Sequence, residues 1–239
     1  MEESGDDSVS EYSGYSEDYW IDWFLGCKGN EFFCDIDPDF ITDRFNLTGL
    51  NAEVDRIQQA IDVITDNFDM SPDMSDEERM HIERAAYHLY GLVHARYILT
   101  SRGLHKMQEK YKNCDFGRCP RVYCHSNPLL PIGLDDLPRH STVKLYCARC
   151  EDIYNPKSAR HQYIDGAYFG TSFPGMFFQV HPHLIPKRTT ARFVPKIFGF
   201  KVHQNAKLAR WQDGKRIEQE NRIRAARKDK EDGKEEVAN

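Results

Sequence analysis

Cys-Pro-Arg-Val-Tyr-Cys at residues 119–124 and Cys-Ala-Arg-Cys at 147–150 place four cysteines in two close pairs, with 22 residues between Cys124 and Cys147. Two short loops that each present two sulfurs, joined by a segment that can fold back as a hairpin, are what a closed tetrahedral four-cysteine zinc site requires. Four thiolates leave such a metal no open position for water or substrate. Cys119, Cys124, Cys147 and Cys150 therefore predict a structural site holding one zinc per chain. The competing pattern is a pair of disulfides. Against it stand an odd total of seven cysteines and an N-terminus unlike a secretory signal: residues 1–27 hold no Lys or Arg but carry Glu2, Glu3, Asp6, Asp7, Glu11, Glu17, Asp18 and Asp22. The chain reads as one from a reducing compartment, where paired thiols bind metal more often than they oxidise. Cys27, Cys34 and Cys114 are left over and read as small, buried or half-buried hydrophobes.

Upstream of the first pair the pattern is helical. Trp20, Trp23, Phe24 and Cys27 share one face of a short helix that Gly26 and Gly29 end, and Pro38 to Phe45 suits a second with proline in its first turn. Val54, Ile57, Ile61 and Ile64 recur on one side of a third. Asp66 to Glu78, with six acids and Ser71-Pro72, reads as a surface loop. Ser75 with Glu78 three residues on forms a capping box. It opens a long amphipathic helix through Ile82, Ala85, Ala86, Leu89, Leu92, Val93 and Tyr97 to about Thr100. Gly103 interrupts, and Leu104 to Tyr111 adds a turn or two.

Downstream the pieces are short and extended. Val143, Leu145 and Cys147 alternate with Lys144 and Tyr146 as in a half-buried strand. Phe193 to His203 reads as a hairpin centred on Gly199; its Phe198 and Phe200 either pack back on their own domain or face a partner. The fold class is thus α+β: an N-terminal all-helical domain, then a four-cysteine zinc ribbon and an extended C-terminal tail with a hairpin. By residue number this gives a disordered acidic arm at 1–18, a helical domain at 19–112 with its acidic loop at 66–78, and the ribbon at 113–172. An extended segment with the hairpin follows at 173–205, then a charged tail at 206–239, a solvated helix or disordered.

With 239 residues, 40% hydrophobic and 29% charged, the chain can bury a core in one or two domains. No apolar run approaches the roughly 20 residues a membrane span needs, and a net charge of −6 gives no whole-chain reason to expect nucleic acid. Asp115-Phe116-Gly117 copies the magnesium-holding tripeptide of protein kinases. It stands without a glycine-rich phosphate loop, a His-Arg-Asp or an Ala-Pro-Glu, so it is coincidental. Gly-x-Ser-x-Gly, His-Glu-x-x-His and Walker patterns are missing too, and the chain reads as no enzyme. An alternative from another class is a nucleic-acid-binding zinc ribbon of the transcription-factor kind, resting on Lys106, Lys110, Lys112, Arg118, Arg121, Lys144 and Arg149. Acids interleave with these, and no aromatic platform sits in a single-signed patch.

From about Trp20 to His203 the chain resembles the regulatory beta subunits of the protein kinase casein kinase II. The likeness rests on Gly-Asn-Glu-Phe-Phe-Cys (29–34), Phe-Asn-Leu-Thr-Gly-Leu-Asn (45–51), Tyr-Gly-Leu-Val-His-Ala-Arg-Tyr-Ile-Leu-Thr (90–100) and Cys-Pro-Arg-Val-Tyr-Cys. Leu-Pro-Ile-Gly-Leu (130–134), Val-Lys-Leu-Tyr-Cys (143–147) and Asp-Gly-Ala-Tyr-Phe-Gly-Thr (165–171) extend it. The resemblance implies a non-catalytic scaffold of the cytoplasm and nucleus. It would dimerise through its zinc ribbon and hold two catalytic alpha subunits in a heterotetramer that steers protein substrates. It implies a dimer seam near Pro120, Val122 and Ile153, and docking by Ile197, Phe198, Gly199, Phe200, Lys201, Val202 and His203. Ser4 and Ser8, each with an acid three positions on, match the acceptor pattern of the family's kinase. The loop at 66–78 looks like the family's polyamine-associated acidic segment, but Met70, Ser71, Pro72 and Met74 interrupt the acids, and a solvated charge run accounts for them equally.

Overall fold

The computed structural model describes residues 19–68, 74–189, 191, 194, 196–201, 207 and 210–222. The chain forms two compact units, Met1–Thr189 and Thr190–Asn239.

In the first unit, helix α1 (Trp20–Gly26) buries Ile21 and Phe24. Trp20 stacks on Phe24 at 5.0 Å, and its backbone N–H, orphaned at the helix start, donates to Asp66 Oδ1 at 2.9 Å. Trp23 stays 46% exposed, so the inward face runs through Ile21 where the spacing had suggested Trp23. Helix α2 (Pro38–Thr42) carries proline in its first turn. It stops short of Phe45 because the Asp43 side chain accepts the Phe45 N–H at 2.9 Å and starts a new turn. Helix α3 (Ile57–Ile64) buries Ala60, Ile61 and Ile64, while Val54 is buried ahead of it in a turn.

Helix α4 (Asp76–Tyr97) is the axis of the unit and packs against α3. Ser75 caps it, its Oγ accepting from the Glu78 N–H at 3.3 Å, while the Glu78 carboxylate reaches back to the Ser75 hydroxyl at 3.3 Å, so the serine half of the capping box forms. Acids in the first turn of α4 and Arg96 in its last complement the helix dipole. Helix α5 (Ser101–Asn113) follows almost at once, capped by Thr100, whose Oγ1 accepts from the Gly103 N–H at 3.1 Å. Gly103 does not interrupt this helix: a Cβ there would lie 2.1 Å from the Tyr97 carbonyl oxygen, so glycine is what lets α5 start against the end of α4.

Three antiparallel strands form the ribbon sheet in the order β1 (Leu130–Ile132), β2 (Lys144–Cys147), β3 (Asp152–Tyr154). Leu130 pairs with Tyr146, and Tyr146 with Ile153. The expected alternation holds, with Leu145 and Cys147 buried and Lys144 and Tyr146 half-buried. Two boundaries drawn from the sequence need correction. Helical part and ribbon are not separate domains, for they share one buried cluster, in which Phe32 meets Phe116 at 5.6 Å and Phe33 meets Phe169 at 5.5 Å. Nor is the segment after 172 extended throughout: helix α6 (Phe173–Val180) buries Phe173 and Phe177 and sets Phe177 edge-on to Tyr111 at 5.4 Å.

The second unit contains strands β4 (Lys196–Ile197) and β5 (Phe200–Lys201), paired antiparallel. Phe198 at φ 47° and Gly199 at φ 85° turn the chain. Two central residues with positive φ are the mark of a tight hairpin turn matched to strand twist. Residues 210–222 are helical, solvated, and laced by pairs such as Lys215–Glu218 and Arg216–Glu220. Among the described residues, no helix is long and apolar enough to cross a membrane.

Candidate metal centre and partner surfaces

Each pair of thiols sits on a reversal of the chain. After α5, Cys114 takes the left-handed conformation that ends a helix, and Phe116 plunges into the core. Asp115-Phe116-Gly117 is therefore the hinge between helix and ribbon. Cys119 and Cys124 flank a loop that turns back at His125 and Ser126, both left-handed. Hydrogen bonds from Cys119 N–H to the Asn127 carbonyl (2.8 Å) and from Asn127 N–H to the Cys124 carbonyl (3.1 Å) close it. Cys147 ends β2, and the turn to β3 is closed by Glu151 N–H donating to the Cys147 carbonyl at 2.8 Å, with Cys150 between.

The four sulfurs lie within 4.8 Å of one another. Cys119 Sγ and Cys150 Sγ are 3.9 Å apart. A tetrahedron with zinc–sulfur bonds of about 2.3 Å has edges of about 3.8 Å, whereas a disulfide brings its sulfurs to about 2.05 Å. All seven cysteines are free thiols. The donor set and its spacing fit a tetrahedral ion of the zinc type, with every position filled by protein. Cys119, Cys124 and Cys147 are buried and Cys150 half-buried. Burial pushes the Cys124 thiol well up and that of Cys147 to about 12. For Cys150 burial acts the same way but is outweighed by hydrogen bonds from the Tyr154 hydroxyl and the Asp152 N–H, which hold it below the ordinary thiol value. Packed together without a cation, Cys124 and Cys147 cannot readily shed their protons; a divalent ion would replace them.

Cys27, Cys34 and Cys114 stay outside the cluster. Cys34 is buried, its thiol pushed up to about 12 by desolvation, and Cys114 points at the Lys112 carbonyl at 3.7 Å. Pro120, Val122 and Ile153 are exposed on the ribbon, Val122 at 82%. In the hairpin Ile197, Phe198 and Phe200 are exposed, Phe198 at 97%. Val202 and His203 lie outside the described residues, as do Ser4, Ser8 and residues 69–73 of the acidic loop. The basic residues gathered for a nucleic-acid reading are partly spent: Lys106 pairs with Asp35 and Asp37, Lys110 with Asp115 and Arg121 with Asp152. Sequence reasoning missed Tyr154 and Asn127, whose polar atoms reach the cluster sulfurs.

A closed four-thiol cluster with the donor set and spacing of a structural metal site, carried by a body of helices and a three-stranded ribbon sheet, defines the class of protein. Residues 19–201 match the family described as casein kinase II regulatory subunit, and the chain belongs to it. It is 61% identical over 219 residues to casein kinase II subunit beta-2 of Neurospora crassa, covering 92% of this chain and 76% of that one. Over 219 residues it is 56% identical to the beta subunit of Schizosaccharomyces pombe, covering 90% of this chain and 94% of the relative. With subunit beta' of Saccharomyces cerevisiae the identity is 54% over 213 residues, 88% and 82% of the two chains. As a regulatory subunit of casein kinase II the chain is not itself an enzyme.

Proposed function

We propose that this chain is the scaffold of a casein kinase II holoenzyme. It binds one zinc through Cys119, Cys124, Cys147 and Cys150, pairs with a second copy through the ribbon surface at Pro120, Val122 and Ile153, and docks a catalytic subunit with each hairpin. The observation that carries the docking role is Phe198. Its side chain is 97% exposed on a backbone held at φ 47°, a conformation that is a genuine outlier for a bulky residue. Local folding gains nothing from a phenyl ring there; glycine or asparagine suits that turn position. An aromatic side chain presented at a local cost fits an anchor awaiting a pocket. Exposed Ile197 and Phe200 flank it.

The zinc's part is structural. When bound it supplies four bonds that lock the two cysteine loops together, and the chain's own residues do the recognising. Val122 and Ile153 are the kind of apolar, uncharged side chains that fill the centre of a subunit interface. Expected partners are a second copy, the catalytic subunits and, through them, protein substrates. Mixing the chain with the catalytic subunit and separating by size tests the reading: co-migration is expected, and failure of the wild-type chains to form a complex sinks it.

A further inference from the structure

We propose that Tyr154 is a positioning residue of the metal centre: its hydroxyl, 3.2 Å from Cys150 Sγ, holds the least buried of the four sulfurs in place and slows release of the ion. This rests on the reading of the cluster as a zinc site. The placement follows from the period of a strand. Tyr154 closes β3 opposite Leu145, and alternation sends its side chain to the face opposite the exposed Ile153, toward the thiols. Its ring is half-buried and packed against the core, so the hydroxyl is not free to wander.

Cys150 is only half-buried where its three companions are buried, which makes it the sulfur that water or a competing chelator meets first. A metal-bound sulfur has lost its proton, so of the two facing atoms only the phenol can donate. Four thiolates round a divalent cation leave net negative charge, and an O–H aimed at one sulfur spreads that charge and fixes the side-chain torsion. Asn127 supports the other sulfur of this pair. Its Nδ2 lies 3.8 Å from Cys147 Sγ, while its backbone carbonyl accepts from Cys119 N–H at 2.8 Å, so one residue ties the first loop to the second. Removing outer partners of metal ligands typically weakens metal affinity 10–100-fold.

Tyr154→Phe keeps the ring and deletes only the hydroxyl. In the full chain loaded with zinc, transfer of the ion to an excess of a chelating dye is expected to run about tenfold faster in the variant. With cobalt in place of zinc, the sulfur-to-metal charge-transfer band should move to lower energy, because a sulfur without its hydrogen bond gives up electron density more easily. A merely structural ring would leave that band where it was. Unchanged release and an unmoved band overturn the proposal, and so does faster release with an unmoved band, which would trace the effect to packing alone. Wild-type protein that takes up no zinc would instead sink the metal reading itself.

Discussion

Phe198 concentrates the account in one side chain. A non-glycine residue in the left-handed region costs roughly 1–2 kcal/mol, and nothing within the described residues of the hairpin covers the ring. Phe198→Ala should weaken binding of the catalytic subunit by about 2 kcal/mol, read as a dissociation constant by titration. Phe198→Asn, which suits the turn, should weaken it likewise; an unchanged constant in both would remove the anchor. His94 is the opposite case, buried and committed. Its Nε2 accepts from the Cys34 N–H at 3.1 Å and its Nδ1 bonds the Tyr168 carbonyl at 2.8 Å, so the proton of the neutral ring sits on Nδ1. Burial takes it from its ordinary 6.5 down to about 4, against the pull of the Tyr168 carbonyl. Between those values the unfolded chain binds a proton that the folded chain refuses. Stability is therefore complete above pH 6.5 and lost as pH falls toward 4, by on the order of 3 kcal/mol over the full range. Urea unfolding from pH 7 to 5 should show a shallower decline in His94→Gln than in the wild type; parallel declines would contradict this assignment.

Helix α5 works as a clamp. Arg102, Lys106 and Lys110 fall on one face, reaching Asp37 at 2.8 Å, Asp35 at 2.9 Å and the Glu31 carbonyl at 2.9 Å, which ties the segment before α2 to the helix that leads into the ribbon. Exposed pairs of this kind contribute little singly. Lys106, which also lies over the Tyr97 ring at 5.4 Å, is the most engaged, and Lys106→Met should cost about 1 kcal/mol in urea unfolding; wild-type stability would show the clamp to be idle. These elements differ in how plainly the sequence announces them. The Ser75 capping box and the alternation of β2 are signals confined to a few neighbouring residues, so α4 and the ribbon strand are legible. Helix α6 is not, since Phe-Pro-Gly-Met-Phe-Phe is short and holds glycine; burial of Phe173 and Phe177 makes it helical. The face of α1 shifts from Trp23 to Ile21 for the same reason. The four cysteines are legible by their spacing, but Tyr154 and Asn127 reach them only through strand register and loop closure. Gly103 reads as a break until Tyr97 is placed against it.

At the scale of the molecule, the first unit carries the thiol cluster and the ribbon surface, and the second carries the hairpin. This division suits a protein that uses one part to pair with itself and another to hold a partner. Four-thiolate zinc ligation contributes about 10–16 kcal/mol in apparent terms, more than the net stability of an ordinary domain. Cys147→Ser should lose the zinc, and with the ribbon gone the chain should sediment as a monomer; a dimeric mutant would place the seam elsewhere. The most direct test of the scaffold is native mass spectrometry of the wild-type chain mixed with the catalytic subunit. A particle of two regulatory chains, two catalytic chains and two zinc ions is the predicted result. A one-to-one complex, or a two-to-two complex that carries no metal, would contradict it.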